Sequence, residues 1–392
     1  MPKQRKIFIF FKLLFWLIGF IGAIFLIYSP VFLDDLGKSS LIISLFFSIS
    51  SIASFLSQNI WGPLFDHFSS VKPFIILGLA TDMIVLLLLL KYTSALSIII
   101  GFSMIMLIGS AFMPAMQAAA TFYYPKDKGK ILGELFAYES IGWGSGSLTG
   151  IILFSKLSIS DIPILFKIAL FIVSILLFFS IFMPKIKWKR NIQRSFLRSM
   201  SNQFFLMRNS KTLRYFSILL LWICICNSVF FSYFGIYFKD IIGGNESMLG
   251  MIMLMATIFG AITFPIYGSI GDRKKSVFLL NFIFFAYFLC FFSLIFIKSK
   301  IAVMLIYSAP FYPGLRIAGN LFISNHTVNN DRGTGLGIIE STHALGMIIG
   351  PVLSGILLQY TGYNNLPIIA TILTLIYIPL YMITRKDLKK AL

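Results

Sequence analysis

Ionisable side chains inside the apolar stretches of this sequence are the residues best placed to do chemistry. Glu139 and His343 each lie three residues before a glycine, Gly142 and Gly346 respectively, in two segments of similar sequence. A charged group in an apolar environment is costly unless it is paired or faces water. A carboxyl and an imidazole group in a partly dry cavity can exchange protons near neutral pH. Glu139, His343 and the nearby Glu340 are therefore candidates for proton coupling, with a static buried pair or a bond to a backbone carbonyl as the alternative.

A second group of polar residues could contact a substrate. Tyr312, Arg316 and Asn320 recur at every fourth position, which places them on one face of a helix, and Pro313 and Gly314 loosen the backbone beside them. An arginine there can bind an anionic substrate group or neutralise a buried carboxylate. The 43 Phe residues suit lipophilic guests. Further candidates for lining a substrate cavity are Gln117, Asn227, Tyr233, Trp16 and Phe20.

Regularly spaced glycines identify the helices that must position these side chains. The spacing G-x8-G-x3-G-P begins at Gly337, and a similar pattern begins 204 residues upstream at Gly133. Small residues four positions apart let two helices approach closely in hydrocarbon. An internal repeat of this kind indicates a duplicated unit. The residues expected to mediate this packing are Gly133, Gly142, Gly146, Gly150, Gly337, Gly346, Gly350, Pro351 and Gly355.

Composition requires that these helices lie in a membrane. Of the 392 residues, 58% are hydrophobic and 12% charged, and the mean hydropathy is +0.90. We predict an all-α membrane protein of twelve helices, numbered here 1 to 12. They fall at about 7–29, 39–61, 73–91, 95–122, 131–155, 162–183, 214–238, 247–267, 275–297, 301–324, 334–360 and 364–384. Two bundles of six helices, 1–183 and 214–392, are joined by a basic linker at 184–213.

The distribution of charge sets the expected orientation. With the N-terminus in the cytoplasm, 25 of the 33 Lys and Arg residues fall on the inner side, which is the pattern of cytoplasmic loops. The formal net charge of +19 therefore indicates membrane topology rather than nucleic-acid binding. Both termini are expected in the cytoplasm of a protein of the cell membrane, and the basic, apolar N-terminus is expected to remain as helix 1. Glu134, near the cytoplasmic end of helix 5, is a gate candidate, and Asp82 in the middle of helix 3 is expected to be structural.

Two loops carry a pattern that resembles the major facilitator superfamily. The loop after helix 2 contains Gly62 and Asp66, and the loop after helix 8 contains Gly268, Asp272 and Arg273. Both read G-x-x-x-D followed by a basic residue, and the resemblance extends over the whole chain. It implies two pseudo-symmetric six-helix bundles that work by alternating access. In this interpretation the loop residues form a cytoplasmic gate, which the acidic residues close by pairing with cations or helix ends.

The glycine-rich helices 5 and 11 also resemble the antiporter motif found in the drug/proton antiporter branch of that superfamily. The copy in helix 5 departs from the motif at Ser147 and Ile151, whereas the copy in helix 11 keeps Pro351 and ends in Gly355. Helix 4 has Ile105 where the drug-efflux branch usually has arginine. Antiport is therefore suggested by the glycines and weakened by the departures.

Three functions are compatible with these features of the sequence. The first is proton-coupled export of small amphiphilic or lipophilic organic compounds, and the second is import of a sugar, carboxylate or other small metabolite. The third is a non-transporting receptor or scaffold. The sequence has no G-x-x-x-x-G-K-[ST] loop for ATP and no paired nucleophile and base, so neither a pump nor an enzyme is expected. The expected partners are a small-molecule substrate, protons and the lipid bilayer, with no cofactor, metal or nucleic acid, and the protein is expected to be a monomer.

Overall fold

The computed structural model describes residues 2–68, 70–123, 128–183, 207–274, 276–326 and 332–390, with most of their side chains. These residues fold into helices that keep the predicted numbers. In the first half, helix 1 comprises Pro2–Ala23, the π-helical Ile24–Tyr28 and Ser29–Asp35; helix 2 is Ser40–Phe68; helix 3 is Lys72–Lys91; helix 4 comprises Ala95–Leu107, the 3-10 segment Gly109–Ala111 and Phe112–Tyr123; helix 5 is Lys128–Phe154; helix 6 is Ile162–Phe182.

The second half repeats this plan. Its helices are helix 7, formed by Lys211–Ile236 and the π-helical Tyr237–Ile241; helix 8, Glu246–Lys274; helix 9, Ser276–Phe296; helix 10, formed by Lys300–Tyr307 and Phe311–His326; helix 11, Arg332–Thr361; and helix 12, formed by Leu366–Leu375 and Tyr377–Lys390.

The lengths and composition of these helices suit a membrane. In the part of the chain that the structure describes, ten helical stretches are long and apolar enough to span a bilayer. Helix 4 contributes a shorter apolar stretch, Ala95–Ala111, and helix 5 is a helix of 27 residues. The predicted all-α membrane fold is confirmed.

Corresponding helices of the two halves are also irregular at corresponding places. Helices 1 and 7 both contain a π-helical segment after their long first part, and helices 4 and 10 are both interrupted in the middle. Pro310 explains the interruption of helix 10, because proline cannot donate the backbone hydrogen bond that would continue the helix. The duplication suggested by the glycines therefore extends to the irregular segments.

Two compact units make up the chain. The first contains residues 1–193 and 245–254, and the second contains residues 194–244 and 255–392. Helix 8 thus begins in the first unit, where the Ser247 hydroxyl donates a hydrogen bond of 3.2 Å to the carbonyl of Ile151. The linker predicted at 184–213 lies mostly outside the described residues, and its role stays a prediction.

Candidate functional site

The crossing of helices 7 and 11 forms the first part of the candidate site. A β carbon at Gly346 would overlap Cys224, and one at Gly350 would overlap Ser228. Only glycine permits this approach, since any larger residue would push the two backbones apart. The predicted packing glycines of helix 11 therefore act within the second unit, and they bring the residues around position 343 against helix 7.

His343 lies one turn before Gly346 and faces Cys224. Its Nδ1 atom is 3.2 Å from the Cys224 sulfur, a distance that permits a hydrogen bond whose direction depends on the imidazole tautomer. Its Nε2 atom is fully buried and has no hydrogen-bond partner among the described residues. Arg316 of helix 10 is close enough to act on the imidazole electrostatically. Helices 7, 10 and 11 thus place a thiol, an imidazole and a guanidinium group in one region.

This arrangement leaves one polar atom available for exchange. A buried nitrogen without a partner carries a penalty of about 1–3 kcal/mol, which binding of a proton, a water molecule or a substrate group would relieve. Cys224 holds the opposite side of the ring, so the imidazole is oriented by one nitrogen and can react at the other. The nearby guanidinium group of Arg316 favours an anionic group as the ligand that binds beside His343.

The crossing of helices 1 and 5 is the corresponding feature of the first unit. A β carbon at Gly142 would overlap the backbone at Trp16, and one at Gly146 would lie against Phe20. Helix 1 contributes a glycine of its own, because a β carbon at Gly19 would overlap the carbonyl of Glu139. Glu139 is half-buried at this contact. Both proton-coupling candidates with described side chains therefore lie beside a tight helix crossing.

Glu134 forms an ion pair within the same unit. Its Oε2 atom is 2.7 Å from Nζ of Lys12 on helix 1. The same ammonium group lies over the rings of Phe8 and Tyr138, at 4.9 and 5.2 Å from the ring centres. Glu134 therefore joins helices 1 and 5 in this conformation, and its expected part in a gate stays a prediction.

The predicted cavity residues fall into different environments. Trp16 stacks on Phe20, which is buried, with ring centres 5.3 Å apart. Tyr233 is fully buried beside Tyr363, and Asn227 is half-buried. Tyr312 is half-exposed, although it lies one turn from Arg316. Phe20 and Tyr233 therefore contribute to packing, and a contact between any of these residues and a substrate stays a prediction.

Several predicted residues have side chains outside the described part of the structure. They are the cavity candidates Gln117 and Asn320, the coupling candidate Glu340, the gate residues Gly62, Asp66, Gly268, Asp272 and Arg273, and the glycines Gly133 and Gly337. Gly150, Pro351 and Gly355 are described and buried in their helices.

Three residues that the structure places at these sites could not be assigned to them from the sequence. Cys224 lies in an apolar run that indicates only a packing role; it is buried, and it also contacts His343. The contacts of Lys12 and Gly19, both on helix 1, with helix 5 are not evident from the sequence. Glycines at positions 19 and 22 of helix 1 were the available signal for a second close-packing face.

Comparison with known proteins identifies the family. The family model of the Major Facilitator Superfamily matches residues 12–329 and 308–391, which together cover nearly the whole chain. The chain belongs to the major facilitator superfamily. No curated protein matches the sequence significantly.

Solved structures of the superfamily share this fold at low sequence identity. The nucleoside transporter NupG is 16% identical, with 97% of this chain and 99% of that chain covered and a TM-score of 0.78. A bacterial homologue of the human lysosomal transporter Spinster, inward-facing and unoccupied, is 12% identical, with coverages of 100% and 98% and a TM-score of 0.77. The human organic anion transporter MFSD10 is 17% identical, with coverages of 97% and 99% and a TM-score of 0.64. The chain is thus a membrane-spanning transporter of this superfamily.

Proposed function

We propose that this protein is a proton-coupled secondary transporter that exports small amphiphilic organic compounds carrying an acidic group. The proposal rests mainly on one observation, the buried Nε2 atom of His343, which has no hydrogen-bond partner among the described residues, with Arg316 nearby. Transport would follow the alternating-access scheme that the superfamily resemblance implies. Export is favoured by the antiporter-like glycine spacing of helices 5 and 11.

His343 is suited to carry the proton. An imidazole is the side chain whose charge changes most readily near physiological pH. The contact with Cys224 orients the ring, so that uptake and release of the proton occur at Nε2. Glu139 occupies the equivalent position in the first repeat and supplies a carboxyl group for the same purpose. Protonation at either residue would change the charge of a membrane helix and so bias the conformation of its unit.

Arg316 supports an acidic substrate. A guanidinium group forms two parallel hydrogen bonds with a carboxylate, and in a site of low polarity such contacts select strongly for anions. The phenylalanine-rich composition supports an apolar portion of the substrate. The similarity to a human protein described as an organic anion transporter is consistent with this class.

Import of a small metabolite is the second candidate. Arg316 would serve a carboxylate taken up with a proton equally well, and the helix 5 copy of the motif has lost its proline at Ser147. The two candidates differ in the direction of the flux under a given pH gradient, and they share the residues proposed here.

Measurements of transport in proteoliposomes with an imposed pH gradient test both candidate functions, export and import. The probes are a lipophilic carboxylate, a lipophilic cationic dye, a nucleoside and a dipeptide, and a pH-sensitive dye inside the vesicles reports proton movement. We expect flux of the carboxylate to be coupled to protons: protons moving opposite to the carboxylate would support the export proposal, and protons moving with it would support import.

Single substitutions then test whether His343 and Glu139 carry the proton. His343→Asn keeps a polar atom near Cys224 and removes the exchanging nitrogen, and Glu139→Gln removes the carboxyl charge. Each is expected to reduce gradient-driven flux about tenfold while exchange without a gradient persists. Lys91→Gln, at an exposed helix end, is the control. Carboxylate flux that ignores the pH gradient, and is unchanged in both variants, would refute the proton coupling.

A further inference from the structure

The interruption of helix 4 lies against a buried carboxyl group of helix 3. Helix 4 is α-helical to Leu107, continues as a 3-10 turn over Gly109–Ala111 and resumes at Phe112. A β carbon at Gly109 would overlap Oδ1 of Asp82. The carboxyl group therefore packs directly on the backbone at the interruption, which only glycine allows.

Asp82 is almost completely enclosed. Its exposed fraction is 3%, and Oδ1 has no hydrogen-bond partner among the described residues. A buried polar atom without a partner is rare in native structures and calls for a ligand or a bound proton. Asp82 is therefore a candidate for binding a proton or a ligand, in addition to the structural role expected from its position in the sequence.

Among the described residues of the helices packed against it, Asp82 has no compensating charge. Helices 4 and 6 pack against helix 3. Helix 4 has no Asp, Glu, Lys, Arg or His residue. Its single titratable residue is Tyr123, at its last position. Helix 6 carries only Lys167, which is exposed. Lys72 and Lys91 lie at the two ends of helix 3, about 15 Å along the axis from Asp82.

Two carbonyl groups and two hydroxyl groups at the interruption already take part in hydrogen bonds. Trp61 of helix 2 donates from Nε1 to the carbonyl of Leu107 at 2.5 Å, and the Ser110 hydroxyl donates to the carbonyl of Met106 at 2.5 Å. The Ser57 and Ser110 hydroxyls are 2.7 Å apart. A sodium ion needs several oxygen ligands, and two of the carbonyl groups here already accept a hydrogen bond. A proton needs only the carboxyl group.

We propose that Asp82 and the interrupted segment of helix 4 form a proton-binding site. In the described conformation the carboxyl group holds its proton, because an isolated carboxylate in this apolar setting would be strongly destabilised. Separation of helix 3 from the turn at Gly109 hydrates the carboxyl group and releases the proton. The site is separate from Glu139 and His343 and does not depend on the transport proposed above.

Infrared difference spectroscopy, which compares the spectrum of the purified native protein with that of each variant, tests directly whether the carboxyl group of Asp82 is protonated. The carbonyl stretch of a protonated carboxylic acid is expected in the native protein and lost in Asp82→Asn. Asp240→Asn, which changes an exposed aspartate, is the matched control and is expected to keep the band. An unchanged band in Asp82→Asn would overturn the proposal.

Thermal stability gives a second readout. A group that binds more protons in the folded than in the unfolded state stabilises less as pH rises. The unfolding temperature of the native protein is therefore expected to fall with rising pH more steeply than that of Asp82→Asn, and to be the same in sodium and choline buffers. Stability that follows sodium rather than pH would refute a proton site.

A compensating pair of substitutions tests the geometry. Gly109→Ala alone is expected to lower the unfolding temperature, and adding Asp82→Ala is expected to restore part of it, because the new methyl group then occupies the space of the carboxyl group. Equal loss with and without Asp82→Ala would contradict the proposed packing. None of these measurements involves substrate, so a lack of proton-coupled transport would leave this site intact.

Discussion

The hydroxyl of Ser228 donates a hydrogen bond of 2.7 Å to the carbonyl of Gly346, across the crossing of helices 7 and 11. The bond is possible because Gly346 and Gly350 bring the two backbones together. The glycine spacing that appears in the sequence as a repeated motif thus acts as a close contact between the first and fifth helices of each half. Side chains beside the crossing, His343 and Glu139 among them, are positioned by it.

We expect Gly350→Ala to destabilise the protein, because its methyl group would overlap Ser228. Overpacking of this kind typically costs about 1–3 kcal/mol. Gly260→Ala is the matched control: a β carbon there would lie 3.6 Å from Pro313, an ordinary contact. Thermal unfolding in detergent measures both variants. Equal unfolding temperatures for the two variants would show that the crossing is not tightly packed.

The contributions of Lys12 and Glu134 to the stability of the protein are expected to be coupled. Lys12→Met leaves a half-buried carboxylate without its partner and removes two cation–π contacts, at a cost of about 1–2 kcal/mol. The double variant Lys12→Met with Glu134→Gln is expected to regain part of this loss. Lys91→Met, whose ammonium group lies over Tyr92 at an exposed helix end, should be close to neutral. Strictly additive effects in the double-mutant cycle would rule out the coupling.

Cys224 is expected to matter through His343 rather than through its volume. Cys224→Ala leaves the ring without its contact on the Nδ1 side and should lower the free energy of unfolding by about 1–3 kcal/mol. Cys224→Ser supplies an alternative donor and should retain most of the stability. In His343→Leu, which removes both ring nitrogens, the difference between Ala and Ser at position 224 should shrink. A difference that persists there would show that the thiol acts independently of the imidazole.

The start of helix 8 is expected to be cross-linkable to helix 5. A β carbon at Gly250 would overlap a side-chain carbon of Ile151, so the two positions are in direct contact and we expect cysteines there to react with each other once the neighbouring Tyr28 hydroxyl has shifted. Oxidation of Gly250→Cys with Ile151→Cys should remove two free thiols, as counted by mass spectrometry. Gly250→Cys with Ile152→Cys is the control, since Ile152 is 64% exposed and points away. If alternating access separates this contact, the oxidised pair should stop transport and a reductant should restore it.

The sequence by itself determined the membrane class, the helices and the duplicated plan. Apolar runs of about 20 residues must be helical in a bilayer, because no water is present to satisfy their backbone groups. The glycine spacing also showed which helix faces would be closely packed. These properties depend on local composition and on periodicity, and both are visible without a structure.

Only the tertiary structure decided which side chains from distant segments contact each other. Cys224 and His343 are separated by 119 residues, and Lys12 and Glu134 by 122, so no local pattern indicated that they would meet. The carboxyl group of Asp82 gained its significance from the turn at Gly109 on another helix. Membrane helices can pack in several pairings of similar apolar composition, and the choice among them depends on how small and polar groups on distant segments fit together.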